Sequence, residues 1–226
     1  MSRTIILRSI TSAKVVVGLL GLFVLGCPFS GSGTSDPDGI TSGEMRATTK
    51  LTQNTIETVH GILAAAAVSR PASGEKADSA SFKVSYNVSV NVSLRYFDNA
   101  NNEQAIYNPN TTVKIVATGS GTGTDVTLSF QYTITGTQAS SRSVTVNGDS
   151  NGTWDGVSLQ TTLYDVVVPK QLCAMPTSGR AVARTAAGLK VSLTFNGGST
   201  IQATVSYGSY SDTFTVAVTS CTVTRD

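Results

Sequence analysis

Apolar and polar residues alternate with a period of two along much of the chain. Between residues 82 and 96, every even position is Phe, Val, Tyr or Leu, and every odd position is Ser, Asn, Lys or Arg. This alternation predicts a β-strand with one buried face and one solvated face. A straight strand of that length would span about 50 Å, longer than a compact domain of this size. We therefore expect it to bend, to carry a bulge or to serve two sheets in turn.

More alternating segments follow at intervals typical of short strands. They are Val113–Ala117, Val126–Ile134, Val144–Val146, Val157–Val168, Leu189–Phe195, Ile201–Tyr207 and Phe214–Val223. The dipeptide Asn196-Gly197 between two of these runs is a strong hairpin signal. The pattern predicts an all-β fold over residues 81–226, an antiparallel β-sandwich of about eight or nine strands, immunoglobulin-like or related.

A helical period precedes the strands. Three apolar residues share one helical face, namely Ile56, Val59 and Leu63. Thr41 and Glu44 have the spacing of a capping box. We predict an α-helix over residues 43–70, outside the sandwich, and a polar linker over residues 71–80. His60, alone on this helix, is interpreted as a solvated or partly packed residue rather than a ligand.

The first residues have the pattern of an export signal. Three basic residues precede an apolar run of 12 residues, Val15–Gly26. This run is too short for the roughly 20 residues of a membrane-spanning helix, but it fits the apolar region of a signal peptide. It ends in Val24-Leu25-Gly26-Cys27, which resembles the lipobox of bacterial lipoproteins. The resemblance implies cleavage after residues 1–26 and acylation of Cys27. An ordinary signal peptide with a chance cysteine is the alternative.

Residues 27–42 are rich in Gly, Ser, Pro and Asp and predict a flexible tether that holds the folded part about 20 Å from the anchor. The predicted location is the bacterial cell envelope, attached by lipid, with the outer membrane favoured. Removal of the signal leaves 13 basic and 14 acidic residues. A balance so close to neutral argues against a nucleic-acid partner.

The composition also limits the chemistry. The chain has 28 Ser and 32 Thr, which favours a half-solvated sheet, and its single histidine excludes a multi-histidine metal site. A Ser-His-Asp or Cys-His arrangement would have to use His60. No glycine-rich phosphate motif opens a helix after a strand, so we expect no nucleotide. We assign no catalytic residue and expect the protein not to be an enzyme.

Two cysteines remain after Cys27. Cys173 lies in a predicted loop and Cys221 in the last predicted strand. In an exported chain such a pair indicates a disulfide bond, which would stabilise by roughly 4 kcal/mol.

The segment 147–156 has the composition of a ligand-binding loop. Its alternating oxygen donors are Asp149, Asn151, Thr153 and Asp155, an arrangement that calcium loops use. A long polar hairpin loop without metal is the favoured interpretation, and calcium is the weaker alternative to an absence of cofactors. Trp154 either stacks on a ligand or folds inward as a lid on the core. The segment Asp98–Glu103 is a weaker candidate of the same kind.

The sequence predicts a lipid-anchored envelope protein that serves as a non-catalytic binding, adhesion or structural module. The alternatives are an accessory lipoprotein of an envelope assembly, secretion or transport complex, and a carboxylate-dependent hydrolase. The expected partners are the membrane, through the lipid, and an envelope protein or a glycan.

Overall fold

The computed structural model describes residues 42–68, 79–171, 174–198, 200–217 and 223–225. These residues form helix α1, Ser42–Val68, and twelve strands: β1 Ser79–Val84, β2 Val88–Phe97, β3 Glu103–Gln104, β4 Lys114–Thr122, β5 Val126–Thr135, β6 Ser143–Trp154, β7 Val157–Pro169, β8 Ser178–Thr185, β9 Lys190–Thr194, β10 Thr200–Tyr207, β11 Tyr210–Ala217 and β12 Val223–Arg225. The predicted all-β, antiparallel class with one preceding helix is confirmed.

All the strands belong to one sheet. Its order is β11-β10-β9-β8-β7-β6-β5-β4-β2-β1-β12, with β3 paired to β2. Every pairing is antiparallel, and most strands lie next to their neighbours in sequence, as short hairpins require. The arrangement is consistent with a sandwich whose layers are parts of a single sheet.

The two ends of this strand order are close together in the chain. β11 is at one end and β12 at the other, yet only six residue steps separate Ala217 from Val223. Six extended steps cover at most about 22 Å. The sheet must therefore curve so that its ends approach one another.

Helix α1 lies inside this curve. It contacts β1, β2 and β12 as well as β6, β7 and β8. Residues 54–62 are buried on nearly every side of the helix, Ile56 alone being half-buried. The prediction that the helix lies outside the sandwich was wrong. Its apolar face is narrow, and the sequence did not reveal that its polar residues are also covered.

The long alternating segment at residues 82–96 is two strands. β1 and β2 are joined by the turn Ser85–Asn87, in which Tyr86 has φ 64° and Asn87 φ 55°. Val84 pairs with Val88 across the hairpin. Paired positions in this register differ by an even number, so apolar residues stay on even positions through the turn. The alternation therefore hides the break, which is why the sequence predicted one bent strand.

Candidate functional site

The segment 147–156, which the sequence indicates as a loop, is mostly a strand. β6 pairs with β5 and β7 as far as Trp154, and only Asp155 and Gly156 form the turn into β7. The inward positions of this part of β6 are Gly148, Ser150 and Gly152. Because none of these inward residues is apolar, this stretch shows no hydrophobic alternation. The loop prediction was wrong for that reason.

The predicted ligand residues of this segment do not converge. Asp149, Asn151 and Thr153 follow one another on the outward face, which places Asp149 and Thr153 about 13 Å apart. Calcium ligands lie about 2.3–2.6 Å from the ion, so one ion cannot contact both side chains. Asp155 lies beyond them in the turn. Among the residues that the structure describes, no three His, Cys, Asp or Glu side chains form a group that could hold a metal ion.

Trp154 belongs to the core. Its side chain is 3% exposed, and the Tyr86 ring packs edge-on against it with the ring centroids 4.8 Å apart. The Lys50 ammonium of α1 lies 4.7 Å from the indole centre and 5.1 Å from the Tyr86 ring centre. This cation–π contact joins the helix to the sheet. Of the two alternatives for Trp154, the structure supports the inward-facing lid.

Two ionisable residues of α1 are also buried. Glu57 accepts hydrogen bonds from the backbone N–H of Ser85 at 2.7 Å and from its hydroxyl at 2.8 Å, so it braces the β1–β2 turn. His60 Nε2 donates to the Ala174 carbonyl at 3.0 Å. Burial lowers the pKa of His60, and this hydrogen bond partly opposes the shift. His60 is therefore packed against the β7–β8 connection rather than solvated.

An exposed aromatic residue lies on the outward face of β7. Tyr164 is 39% exposed and pairs with Arg180 on β8. The Arg180 guanidinium lies 4.8 Å from the centre of the Tyr164 ring. Next to them, the Thr162 hydroxyl donates to the Asp149 carboxylate at 2.6 Å. The predicted ligand residue Asp149 thus borders this surface.

A β-bulge presents Tyr164 to solvent. The register of β7 and β8 shifts between Tyr164 and Val167, and Asp165 adopts a left-handed conformation with φ 47°. Asn147 and Asp165 exchange two hydrogen bonds, of 2.8 and 3.0 Å. Gly179 packs so closely that a Cβ there would lie 2.4 Å from the Asp165 carbonyl oxygen. Bulges of this kind redirect side chains at functional positions.

Two more cations extend this surface along β8 and β9. Arg184 and Lys190 are exposed and lie directly opposite one another. Like charges in this position destabilise a strand pair. Arg180, Arg184 and Lys190 make no ion pair with any other described residue. We call these three cations together with Tyr164 the Tyr164 patch.

The sequence did not single out the Tyr164 patch. The available signal was a change of phase within β7, where the inward residues move from odd positions to even ones. Leu163 is inward before the bulge and Val166 after it. Such a change predicts a bulge, but the three cations come together only through the pairing of β7, β8 and β9.

The weaker candidate segment, Asp98–Glu103, lies at a recess of about 450 Å³. Its lining residues are Asp98, Asn99, Ala100, Gln104, Asn110, Thr111, Val113 and Gln138. The Asp98 carboxylate accepts hydrogen bonds from the side chain and backbone of Asn102 and from the backbone of Ala100, which lower its pKa. The Gln104 side-chain amide donates a hydrogen bond to the Thr111 hydroxyl and accepts one from the Thr112 hydroxyl. Because these polar groups satisfy one another, they brace the loop and leave few donors for a ligand.

Three predicted sites fall outside the described residues, namely Cys27, Cys173 and Cys221. The signal peptide over residues 1–26 also lies outside them. Lipidation and the disulfide bond therefore stay predictions.

Comparison of the chain with protein-family models, with curated proteins and with solved structures gives no match. Within the described part of the chain, no helix is both long and apolar enough to cross a membrane.

Proposed function

We propose that this protein is a lipid-anchored protein of the bacterial cell envelope that acts without catalysis and binds an acidic polysaccharide through the Tyr164 patch. The lipobox-like segment that ends at Cys27 supports the anchor. The observation that carries the binding role is the like-charged pair of Arg184 and Lys190 beside an exposed, guanidinium-stacked Tyr164. An anionic ligand would relieve the repulsion within that pair.

The chemistry of the patch suits a sugar polymer with carboxylate groups. An exposed aromatic ring offers an apolar surface to the C–H groups of a sugar, and a guanidinium binds a carboxylate through two parallel hydrogen bonds. Arg180 and Arg184 are four residues apart on one strand, or about 13 Å. A small anion cannot contact both residues, whereas a chain can. The patch lies on paired strands, so little ordering is needed when a ligand binds.

The number of cations also favours an acidic polysaccharide over an anionic membrane as the partner. Recognition of acidic lipid usually depends on a cluster of about four to eight basic residues. The Tyr164 patch has three and borders the Asp149 carboxylate. Its other outward neighbours are the apolar Val182 and uncharged polar residues such as Ser192, Thr194 and Gln202. These groups can hydrogen-bond the hydroxyls of a polysaccharide.

Binding is tested with the full-length chain in detergent and with polygalacturonate as the acidic polymer. We expect Tyr164→Ala and Arg184→Gln each to weaken binding about tenfold, as aromatic and arginine anchors do. Ile106→Ala and Arg142→Gln are matched controls, because they remove an exposed apolar side chain and an exposed cation elsewhere. Melting temperatures of all four variants should stay within about 4 °C of that of the original chain, and that of Arg184→Gln should be slightly higher because the like-charged pair is removed.

Three outcomes would overturn the proposal. The first is no binding to polygalacturonate, and the second is equal loss in the patch variants and the controls. The third is binding to phosphatidylglycerol vesicles through the same residues without binding to the polymer, which would assign the patch to a lipid surface.

The anchor has a separate test. Cys27→Ser should leave an unprocessed precursor that no longer incorporates labelled palmitate in cells. Continued labelling of this variant would contradict the anchor without bearing on the Tyr164 patch.

A further inference from the structure

Five hydroxyl-bearing side chains are buried together between α1 and the sheet. They are Thr55, Thr58, Tyr132, Ser150 and Thr161, each with no exposed surface. Within the described part of the chain, none of their oxygen atoms makes a hydrogen bond of ordinary length and angle. We call them the buried hydroxyl cluster.

Strand pairing and the helical repeat place these side chains near one another. Ser150 on β6 and Thr161 on β7 are directly opposite and both point inward, which puts their Cβ atoms about 5 Å apart. Burial raises the pKa of Tyr132 to about 12, and the neighbouring hydroxyls of Ser150 and Thr55 act to lower it. Thr58 lies one helical turn after Thr55.

Asn54 adds an amide to the same region of the helix. It is fully buried, and neither its amide nitrogen nor its amide oxygen has a hydrogen-bond partner among the described residues. It precedes Thr58 by four residues, so the two share a helical face. The region therefore contains both donors and acceptors, and it carries no formal charge.

Such a group of side chains requires partners. A buried hydroxyl without a hydrogen bond is destabilising, and several of them together would lower the free energy of unfolding of a domain by a large fraction. Water can donate two hydrogen bonds and accept two, and a buried water usually makes two to four bonds to polar groups. A metal cation would engage the oxygen lone pairs only and would leave the hydroxyl protons unpaired.

We propose that the buried hydroxyl cluster is an internal binding site for ordered water molecules, which bridge α1 to β5, β6 and β7. The bridges connect Thr55 and Thr58 on the helix with Tyr132, Ser150 and Thr161 on the sheet. Water-mediated hydrogen bonds, together with apolar packing, then fix the rotation of the helix about its own axis.

The isosteric change Thr161→Val tests the site through the sign of its effect. If water bridges Thr161 to its neighbours, loss of the hydroxyl leaves those partners unsatisfied, and the melting temperature falls by about 2–4 °C. If the site is dry, the change removes an unpaired hydroxyl and the melting temperature rises. Thr137→Val is the matched control, because the buried Thr137 hydroxyl donates directly to the Thr112 carbonyl at 2.7 Å and must show a fall.

A second measurement does not depend on a variant. Nuclear Overhauser effects between long-lived water and the backbone amides of Ser150 and Thr161 are expected in the unaltered chain. Their absence, or a rise in the melting temperature of Thr161→Val, would overturn the proposal. A melting temperature that differs between sodium and potassium salts at equal ionic strength would also overturn it, in favour of a bound cation.

Discussion

Threonine and serine lie on both faces of the sheet, and the hydrogen bonding of their hydroxyls differs between the two faces. On the outward face, the hydroxyls of Thr127 and Thr153 lie 2.8 Å apart, and those of Thr204 and Thr213 lie 3.0 Å apart. On the inward face, Ser150 and Thr161 are directly opposite and have no such bond. Outside, water replaces any missing partner at little cost, whereas inside every missing partner costs free energy. The position of a hydroxyl in the fold, and not the Ser and Thr content of the chain, therefore decides what that hydroxyl contributes to stability.

The largest contrast between the faces is expected for aromatic residues. Trp154→Ala should lower the free energy of unfolding by about 3–5 kcal/mol, because it leaves a cavity beside Tyr86 and removes the ring under Lys50. Tyr164→Ala on the outward face should change it by less than about 1 kcal/mol. Urea denaturation of both variants measures the difference. Equal effects would mean that burial does not separate the two faces.

A smaller effect is expected where α1 touches β1. A Cβ at Gly61 would lie 2.2 Å from the Phe82 ring, so Gly61→Ala should lower the free energy of unfolding by about 1–3 kcal/mol. In the double variant Gly61→Ala/Phe82→Leu, the smaller Leu side chain leaves space for the new Cβ. The loss of unfolding free energy should therefore be smaller than the sum of the losses in the two single variants. A Gly61→Ala variant that is more stable than the original chain would show that helix propensity outweighs this contact.

The smallest of the three effects is a dependence on pH. Burial lowers the pKa of His60 in the folded chain, so below about pH 6.5 the unfolded chain binds a proton that the folded chain does not. Stability should therefore fall as the pH drops from about 6.5 towards the folded pKa, whereas well above about pH 6.5 this residue should not make stability depend on pH. His60→Gln keeps a donor for the Ala174 carbonyl and should remove this slope. Because the chain has a single histidine, a slope that persists in His60→Gln would contradict the assignment.

Much of the sheet could be predicted from the sequence, because a one-sided sheet imposes a period of two wherever its inward face is apolar. Val126–Thr135 shows this clearly, with inward Leu128, Phe130 and Tyr132 between polar neighbours. β6 could not be predicted over its full length, because its inward Gly148, Ser150 and Gly152 carry no such signal. Local residue types cannot reveal that a strand faces a helix instead of an apolar layer.

The helix itself was predictable, but its place was not. The alternation of a strand and the period of a helix show which residues of one segment face the core. They do not show which other segments cover its polar residues. The burial of Asn54, Glu57 and His60 depends on strands that are distant in the sequence. The Tyr164 patch was unpredictable for the same reason, since Arg184 and Lys190 become neighbours only through the β8–β9 register.

The pairing of β12 with β1 has a consequence for how the chain reaches this structure. Phe82 pairs with Arg225, 143 positions later in the sequence, whereas most other strand pairs are local hairpins that close small loops. Bringing distant segments together costs more chain entropy and is slower. We therefore expect the β1–β12 contact to form last, after the C-terminal residues have left the ribosome. Helix α1, made before any strand, is available while the sheet is still open, so the order of synthesis allows the sheet to assemble around it.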